Sequence, residues 1–294
     1  MKGYALAILE TVPVVGPKRR VVMNKASPVT AATLLRAKQH RKPAVWLTAY
    51  DAISAEIAEL GGADVLLVGD SLGMVCLGMD STLRVTLEHM IHHAAAVVRA
   101  RKRAWVVCDL PFGSYQGSPV QAWQTATVLL QQTGCDAVKL EGGQVMAETI
   151  AFLADRGVAV VGHVGLQPQS IKRLGGYGPR GRSRQERQQL LRDAESVAQA
   201  GATAIVLENI PEDLAAEITS MVSIPTVGIG AGPHCDAQVL VWHDLLGISE
   251  RNPPFAPAYA DLRKVMLQAI ERWSKDVRNG HFPKLEETSL ARRP

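Results

Sequence analysis

From residue 44 onward the chain alternates between short apolar or β-branched runs and longer segments with apolar residues at helical spacing. The runs are AVWLTAY (44–50), ADVLLVGD (63–70), AWVVCDLP (104–111), CDAVKLEGG (135–143), VAVVGHVG (158–165), ATAIVLEN (202–209), PTVGIGAG (225–232) and QVLVWHDLLG (238–247). They are apolar at both alternating sets of positions, as parallel strands covered on both faces should be. Short runs alternating with helical segments are the signature of βαβ units. Ser118-Pro119-Val120-Gln121 opens the clearest helix as a capping box with Pro at the first helical position, and Gly134 stops it. Val120, Trp123, Ala126 and Leu130 share its apolar face. Further helices are predicted over 52–60, ended by Gly61-Gly62, from Thr86 onward, and over 186–200 before Gly201. Residues 260–278 place Leu262, Val265, Ala269, Trp273 and Val277 near helical spacing, predicting a C-terminal helix that packs outside the barrel or against a neighbour. Eight units within residues 44–247 predict a closed α/β fold, the (β/α)8 TIM barrel. A doubly wound open sheet uses the same units and is the alternative.

Composition narrows the function classes. The chain of 294 residues is 47% hydrophobic, 20% charged and 5% aromatic. That suits one folded domain with an aliphatic core and argues against disorder. The net charge of +4 is uneven, because residues 1–46 hold nine Lys or Arg against Glu10, which leaves the remainder at −4. An acidic body disfavours nucleic acid as a partner. No run of about 18 apolar residues is present to span a membrane, and the apolar stretch 4–15 contains Glu10 and Pro13 and lacks a cleavage pattern, so a secretory signal is not expected. Cys76, Cys108, Cys135 and Cys235 form no CxxC pair. A zinc ribbon or disulfide framework is therefore not signalled, and a reducing, cytoplasmic compartment fits best. Residues 1–27 read as a basic, poorly ordered extension and residues 28–294 as a single barrel with its C-terminal helix.

Each apolar run ends in polar residues. Asp70-Ser71, Asp109, Lys139 with Glu141, His163 and Glu208 stand at the C-terminal ends of five different strands. In a (β/α)8 barrel those ends open onto one face, where the active site is built. Asp70, Asp109 and Glu141 are singly ordinary loop acids. Together, with no Cys or paired His beside them, they suit a hard cation such as Mg²⁺, which would take a 2-oxo acid as a bidentate oxygen ligand. Lys139 and Glu141 lie two apart and share one side of the pleat, which suits either a substrate carboxylate beside a metal or a simple ion pair. Glu208 closes an apolar strand, where a carboxylate should have a raised pKa and could act as general base, or it caps the following helix. His163 on its own is more often structural than catalytic. His89, His92 and His93 beside Glu88 invite a metal site, but their spacing fits a helix surface. Gly228–Gly232 could cradle phosphate or make a tight turn, and the glycine-rich basic stretch 175–182 is a candidate lid.

The motifs LTAYDA (47–52), VGDSLGM (68–74), DSTLRVTLEHMIHH (80–93), DLPFGSY (109–115), VKLEGG (138–143), GHVGLQPQS (162–170), GGYGPRGR (175–182), VLENIP (206–211) and GIGAG (228–232) occur in order. Over residues 30–285 the chain resembles the ketopantoate hydroxymethyltransferases. The resemblance implies a (β/α)8 barrel of the phosphoenolpyruvate/pyruvate type, assembled as a decamer of two pentamers. It implies transfer of a one-carbon unit from 5,10-methylenetetrahydrofolate to 3-methyl-2-oxobutanoate through a Mg²⁺-stabilised enolate, giving 2-dehydropantoate on the route to pantothenate. On the matching motifs, Asp70 and Asp109 correspond to Mg²⁺ ligands, with Glu141 reaching the ion directly or through water. Ser71 and Lys139, together with Asp70 and Asp109, correspond to substrate contacts, Glu208 to the base, and His163 to a polar pocket residue. The chain departs from the family pattern at Met79, Arg84, His89 (usually an acid) and Ala237 (a Gly in the turn before strand eight). Residues 1–27 have no counterpart in shorter members, with Met23 as an alternative start. The competing enzyme reading is another Mg²⁺-dependent 2-oxo-acid lyase of the same superfamily, isocitrate-lyase-like. That reading calls for a loop cysteine, whereas Cys76 and Cys108 read as core residues. A barrel without activity, serving only as a binding module, is the remaining class, and the intact carboxylates argue against it.

Overall fold

The computed structural model describes residues 27–284, so nearly all of the 1–27 extension lies outside the described residues. Eight strands run in parallel and close on themselves in chain order. They are β1 (Ala44–Thr48), β2 (Val65–Val68), β3 (Trp105–Asp109), β4 (Ala137–Lys139), β5 (Val160–Gly165), β6 (Ala204–Glu208), β7 (Thr226–Ile229) and β8 (Ala237–Leu240). The ring closes where Ala44 pairs with Ala237. The open-sheet alternative is thereby excluded.

The strands' two-sided apolar character resolves into two separate cores. Leu47, Leu66, Val106, Val138 and Ile205 face outward against the helices. The alternate positions, among them Trp46, Val65, Leu67, Trp105, Val107, Val161 and Val206, fill the barrel interior. Trp46 and Trp105 meet edge to face there, with ring centroids 6.2 Å apart. The helix Ala31–Gln39 closes the floor of the barrel by adding Leu34 to the inner core.

This alternation explains how strands of plain aliphatic residues present a polar face. The inner row of β3 reads Trp105, Val107, Asp109. That of β4 reads Ala137, Lys139 and, past the strand end, Glu141. Those of β5 and β6 read Val161, His163 and Ala204, Val206, Glu208. A period of two keeps each row on one side, so each of these four inner rows passes from apolar packing below to a charged or polar side chain at the mouth.

The helices follow their caps. Ser118 caps Pro119–Thr133 by accepting from the Gln121 amide at 3.1 Å, and Gly134 ends it in the left-handed conformation with φ 72°. Gln121 departs from the expected box, because its side chain accepts from the Gly117 amide instead of the Ser118 amide. The run 238–247 is only partly strand, since Trp242–Leu245 forms a short helix. Ala237 is the buried first residue of β8 and not part of a turn. The C-terminal helix Leu262–Arg278 has no buried residue and stands off the barrel, tied at its start by Leu262 and Arg263 amides to Leu246 and Gly247 carbonyls. Among the described residues no helix is long and apolar enough to cross a membrane.

Candidate active site

Asp70, Ser71, Asp109, Lys139, Glu141, His163 and Glu208 all line one cleft of about 1180 Å³ at the C-terminal ends of the strands. Asp109 and Lys139 are register partners on β3 and β4, and Lys139 Nζ lies 3.0 Å from Asp109 Oδ1. The ion pair thus runs between strands and not from Lys139 to Glu141 along one. The contact is off the direction of a hydrogen bond, so the buried Oδ1 has an ionic neighbour but no aligned donor. Asp109 Oδ2 accepts from the Asp70 amide at 3.0 Å. Gly69 holds the inner position on the chain after β2. A Cβ there would lie 2.9 Å from Ser71 Oγ and in ordinary contact with Asp109 Oδ2 at 3.6 Å, so glycine leaves room for the Ser71 hydroxyl.

Burial and the neighbouring Asp109 push Asp70 up to about 7. Burial likewise holds Glu141 well above the carboxylate range, with Asp70 adding to the effect. Burial acts against the charged form of Lys139, but Asp109, Asp70 and Glu141 outweigh it and hold the ammonium above its ordinary value. Among the described residues Lys139 is the one buried Lys or Arg, and it faces three buried carboxylates. The face is short of positive charge.

His163 separates two parts of the site. Its Nδ1 lies 3.5 Å from Lys139 Nζ and 3.8 Å from Glu141 Oε1, and its Nε2 lies 3.1 Å from Glu208 Oε2. Burial, then Lys139, lowers its pKa and favours the neutral ring. The Nε2 contact is also out of hydrogen-bond alignment, so Glu208 has an imidazole beside it that does not satisfy it. Glu208 itself is half-buried at the end of β6. It does not cap the next helix, whose N-cap is Pro211 without a side-chain bond. Gly165, with φ 96°, pairs with Glu208. A Cβ there would sit 2.2 Å from the Glu208 carbonyl oxygen, so only glycine lets the two backbones lie this close.

Gln169 organises the site and carries no charge to mark it in the sequence. Its Nε2 donates to Asp70 Oδ2 at 2.8 Å and to the Leu110 carbonyl at 2.9 Å, and its amide donates to Glu141 Oε2 at 3.0 Å. Its Oε1 accepts from Tyr115 at 2.7 Å and Gln116 at 3.0 Å. Tyr115 also accepts from the Glu141 amide at 3.0 Å. Tyr50 meets Ser71 hydroxyl to hydroxyl at 2.9 Å.

Other candidates fall elsewhere. His89 completes a capping box with Thr86, and His93 Nδ1 lies 2.6 Å from the Tyr50 carbonyl oxygen, so these histidines are structural. The glycines at 230 and 232 make room for Phe255 and Glu212, the packing role of a tight turn. The 175–182 loop rims the cleft through Tyr177 and Arg182, and Asn209 Nδ2 holds the Tyr177 carbonyl at 3.1 Å. Cys108 is buried but Cys76 is exposed, contrary to the core reading, because it falls just past the short helix Leu72–Val75. Neither lines the cleft. Met79 packs against the outer core, and Arg84 makes an exposed pair with Asp80 at 3.8 Å.

A model of the family described as ketopantoate hydroxymethyltransferase matches residues 28–285. The chain is 50% identical over 266 residues to the 3-methyl-2-oxobutanoate hydroxymethyltransferase of Aeropyrum pernix, covering 90% of this chain and 96% of that one. This chain belongs to the ketopantoate hydroxymethyltransferase family. A Cyanothece sp. member is 51% identical over 256 residues, 87% of this chain and 98% of its own. Among solved structures, 2,3-dimethylmalate lyase, a PEP mutase/isocitrate lyase superfamily member, superposes with a TM-score of 0.57 at 17% identity, over 88% of this chain and 89% of that one. That likeness is one of fold. Sequence identity at the level of half the residues lies with the hydroxymethyltransferases, and the lyase alternative is not favoured.

Proposed function

We propose that this chain, as a ketopantoate hydroxymethyltransferase, moves the one-carbon unit of 5,10-methylenetetrahydrofolate onto C3 of 3-methyl-2-oxobutanoate to give 2-dehydropantoate, using Mg²⁺ at Asp70 and Asp109. The observation that carries the metal part is the charge imbalance at the mouth of the barrel. Asp70, Asp109 and Glu141 are buried around Lys139 alone, and Asp109 Oδ1 is buried without an aligned donor. An all-oxygen set of this kind fits a hard divalent cation. Among the described residues no three His, Cys, Asp or Glu side chains converge tightly enough to surround an ion. The fit is therefore to Asp70 and Asp109, with Glu141 reached through water, and Mg²⁺ is commonly held by one or two carboxylates plus water and substrate. Bound there, Mg²⁺ would act as a Lewis acid toward the 2-oxo acid.

The side chains divide the remaining work. Ser71, held by Tyr50, and the Lys139 ammonium take the substrate carboxylate. Glu208, across the cleft, removes the C3 proton. His163, its Nε2 3.1 Å from Glu208, stays neutral beside the base, because burial disfavours its cationic form. Opening of the C–N10 bond of the folate leaves an N5 iminium, water adds to it, and the C–N5 bond breaks to give formaldehyde and tetrahydrofolate. The enolate then adds to the formaldehyde carbon and the alkoxide takes up a proton, completing the hydroxymethyl group, in a cleft bordered by Tyr177 and Arg182 of the rim loop. The exposed apolar residues Val265, Met266, Ile270, Trp273 and Val277 on the C-terminal helix support self-association, for which a decamer of two pentamers is the expected form. We place the reaction in the cytoplasm. The test is formation of 2-dehydropantoate from the two substrates with Mg²⁺, abolished by EDTA and restored by added metal. Full activity after exhaustive chelation would refute the metal assignment.

A further inference from the structure

The cleft, at about 1180 Å³, exceeds the range of about 300–1,000 Å³ that accommodates drug-sized ligands. A small 2-oxo acid at Asp70 and Asp109 leaves most of it for a second, larger molecule. Its wall continues past β1 to the segment after β8. There Asp244 lines the cleft at 7% exposure, on the short helix Trp242–Leu245. The start of that helix is fixed by the Trp242 amide donating to Thr48 Oγ1 at 2.8 Å. Asp244 Oδ1 accepts from Ser249 Oγ at 2.7 Å, and no donor among the described residues bonds its Oδ2. Among the described residues it is the one buried carboxylate on the cleft besides Asp70, Asp109 and Glu141. Its neighbour His243 packs on Tyr50, ring centroids 5.6 Å apart, and Tyr50 holds Ser71. Asp244 therefore adjoins the 2-oxo acid site through two side chains.

A buried carboxylate with one oxygen unpaired is matched by a ligand that brings adjacent N–H donors. A reduced pterin carries such a pair on its 2-amino-4-oxo edge, at N3–H and the 2-amino group. Farther out, Arg182 and Arg251 are exposed on the same cleft and form no ion pair among the described residues. Guanidinium groups there suit the glutamate carboxylates at the other end of a folate. We propose that the wall after β8 is the folate subsite, with Asp244 taking the pterin edge and Arg251 the glutamate tail. This rests on the folate-dependent reaction proposed above.

The test uses the full chain with Mg²⁺ and two probes, tetrahydrofolate and 6-methyltetrahydropterin, which lacks the tail. Asp244→Asn keeps an acceptor for Ser249 and sets an NH₂ group against the pterin donors. It is expected to weaken both probes about tenfold or more, to raise KM for methylenetetrahydrofolate without raising that for the 2-oxo acid, and to leave Mg²⁺ affinity unchanged. Arg251→Ala is expected to weaken tetrahydrofolate alone, by about three- to tenfold. Wild-type binding of both probes by Asp244→Asn overturns the pterin assignment while leaving the reaction intact. Should that variant not fold, Arg251→Ala decides, since equal effects on the two probes, or none, overturn the subsite. A wild-type protein that binds neither probe removes the folate reaction together with this inference.

Discussion

Asp109 and Lys139 sit opposite each other in the β3–β4 register, and their charged ends meet 3.0 Å apart at the mouth of the barrel. The pair neutralises one carboxylate and leaves Asp70 and Glu141 buried beside it without a cation of their own. Buried charge uncompensated to this degree is costly, and the divalent ion proposed at Asp70 and Asp109 would supply what the pair does not.

Asp109→Ala should therefore abolish measurable Mg²⁺ binding, since it removes one of two ligands and frees Lys139 to approach Asp70. Calorimetric titration checks this, and an affinity equal to that of the wild type would remove Asp109 from the ligand set.

The pH dependence has a definite sign. Asp70 titrates at about 7 in the metal-free protein because of burial and then Asp109. The folded state holds this proton more tightly than the unfolded chain, so the group's contribution to metal-free stability declines as pH rises from the ordinary carboxylate range through about 7. Metal binding needs the ionised form, so apparent Mg²⁺ affinity should fall by up to about tenfold per pH unit below about 7 and level off above it. A titration series from about pH 5.5 to about pH 8.5 showing constant affinity would contradict this.

Gln169→Leu keeps the bulk of the side chain but removes the donor to Asp70 and the acceptor for Tyr115. The expected cost is about 1–3 kcal/mol of unfolding free energy, together with weaker Mg²⁺ binding as Asp70 loses its tether. Denaturant melts read the first and calorimetry the second. Unchanged stability would mean that water replaces the amide at no cost.

His89 is the third residue of the helix Leu87–Ala100, and its Nδ1 accepts from the Thr86 amide at 3.1 Å. A carboxylate there would keep that bond and add a favourable interaction with the helix N-terminus. His89→Glu should stabilise the protein by about 0.3–1 kcal/mol, seen as a small rise in Tm. A fall would show that the ring contributes packing the acid cannot replace.

The barrel and its charged face were legible in the sequence because both follow from a period of two. Once β3 and β4 are strands, Asp109, Lys139 and Glu141 must continue the rows begun by Val107 and Ala137. Gln169 and Tyr115 were not legible. Their partners lie 99 residues away for Gln169 with Asp70 and 54 for Tyr115 with Gln169, and an uncharged residue in a loop has no periodicity to place it. The run 238–247 departs from a full strand for a related reason. VLVWHDLLG is apolar enough for a strand, and the turn into a helix at Trp242 is set by Thr48 at the end of the neighbouring β1, 194 residues earlier in the chain. The C-terminal helix shows its periodicity plainly, yet its apolar face finds no partner on the barrel.

In the reaction proposed above, Glu208 removes the C3 proton of the 2-oxo acid at a face completed by Mg²⁺. The most direct measurement is proton exchange at C3 of 3-methyl-2-oxobutanoate in D₂O, followed by NMR with protein and Mg²⁺ and no folate. The wild type should exchange this proton, and Glu208→Gln should slow the exchange by about 10²–10⁴-fold. No exchange in the wild type would rule out enolisation ahead of folate, and equal exchange in the variant would remove Glu208 as the base.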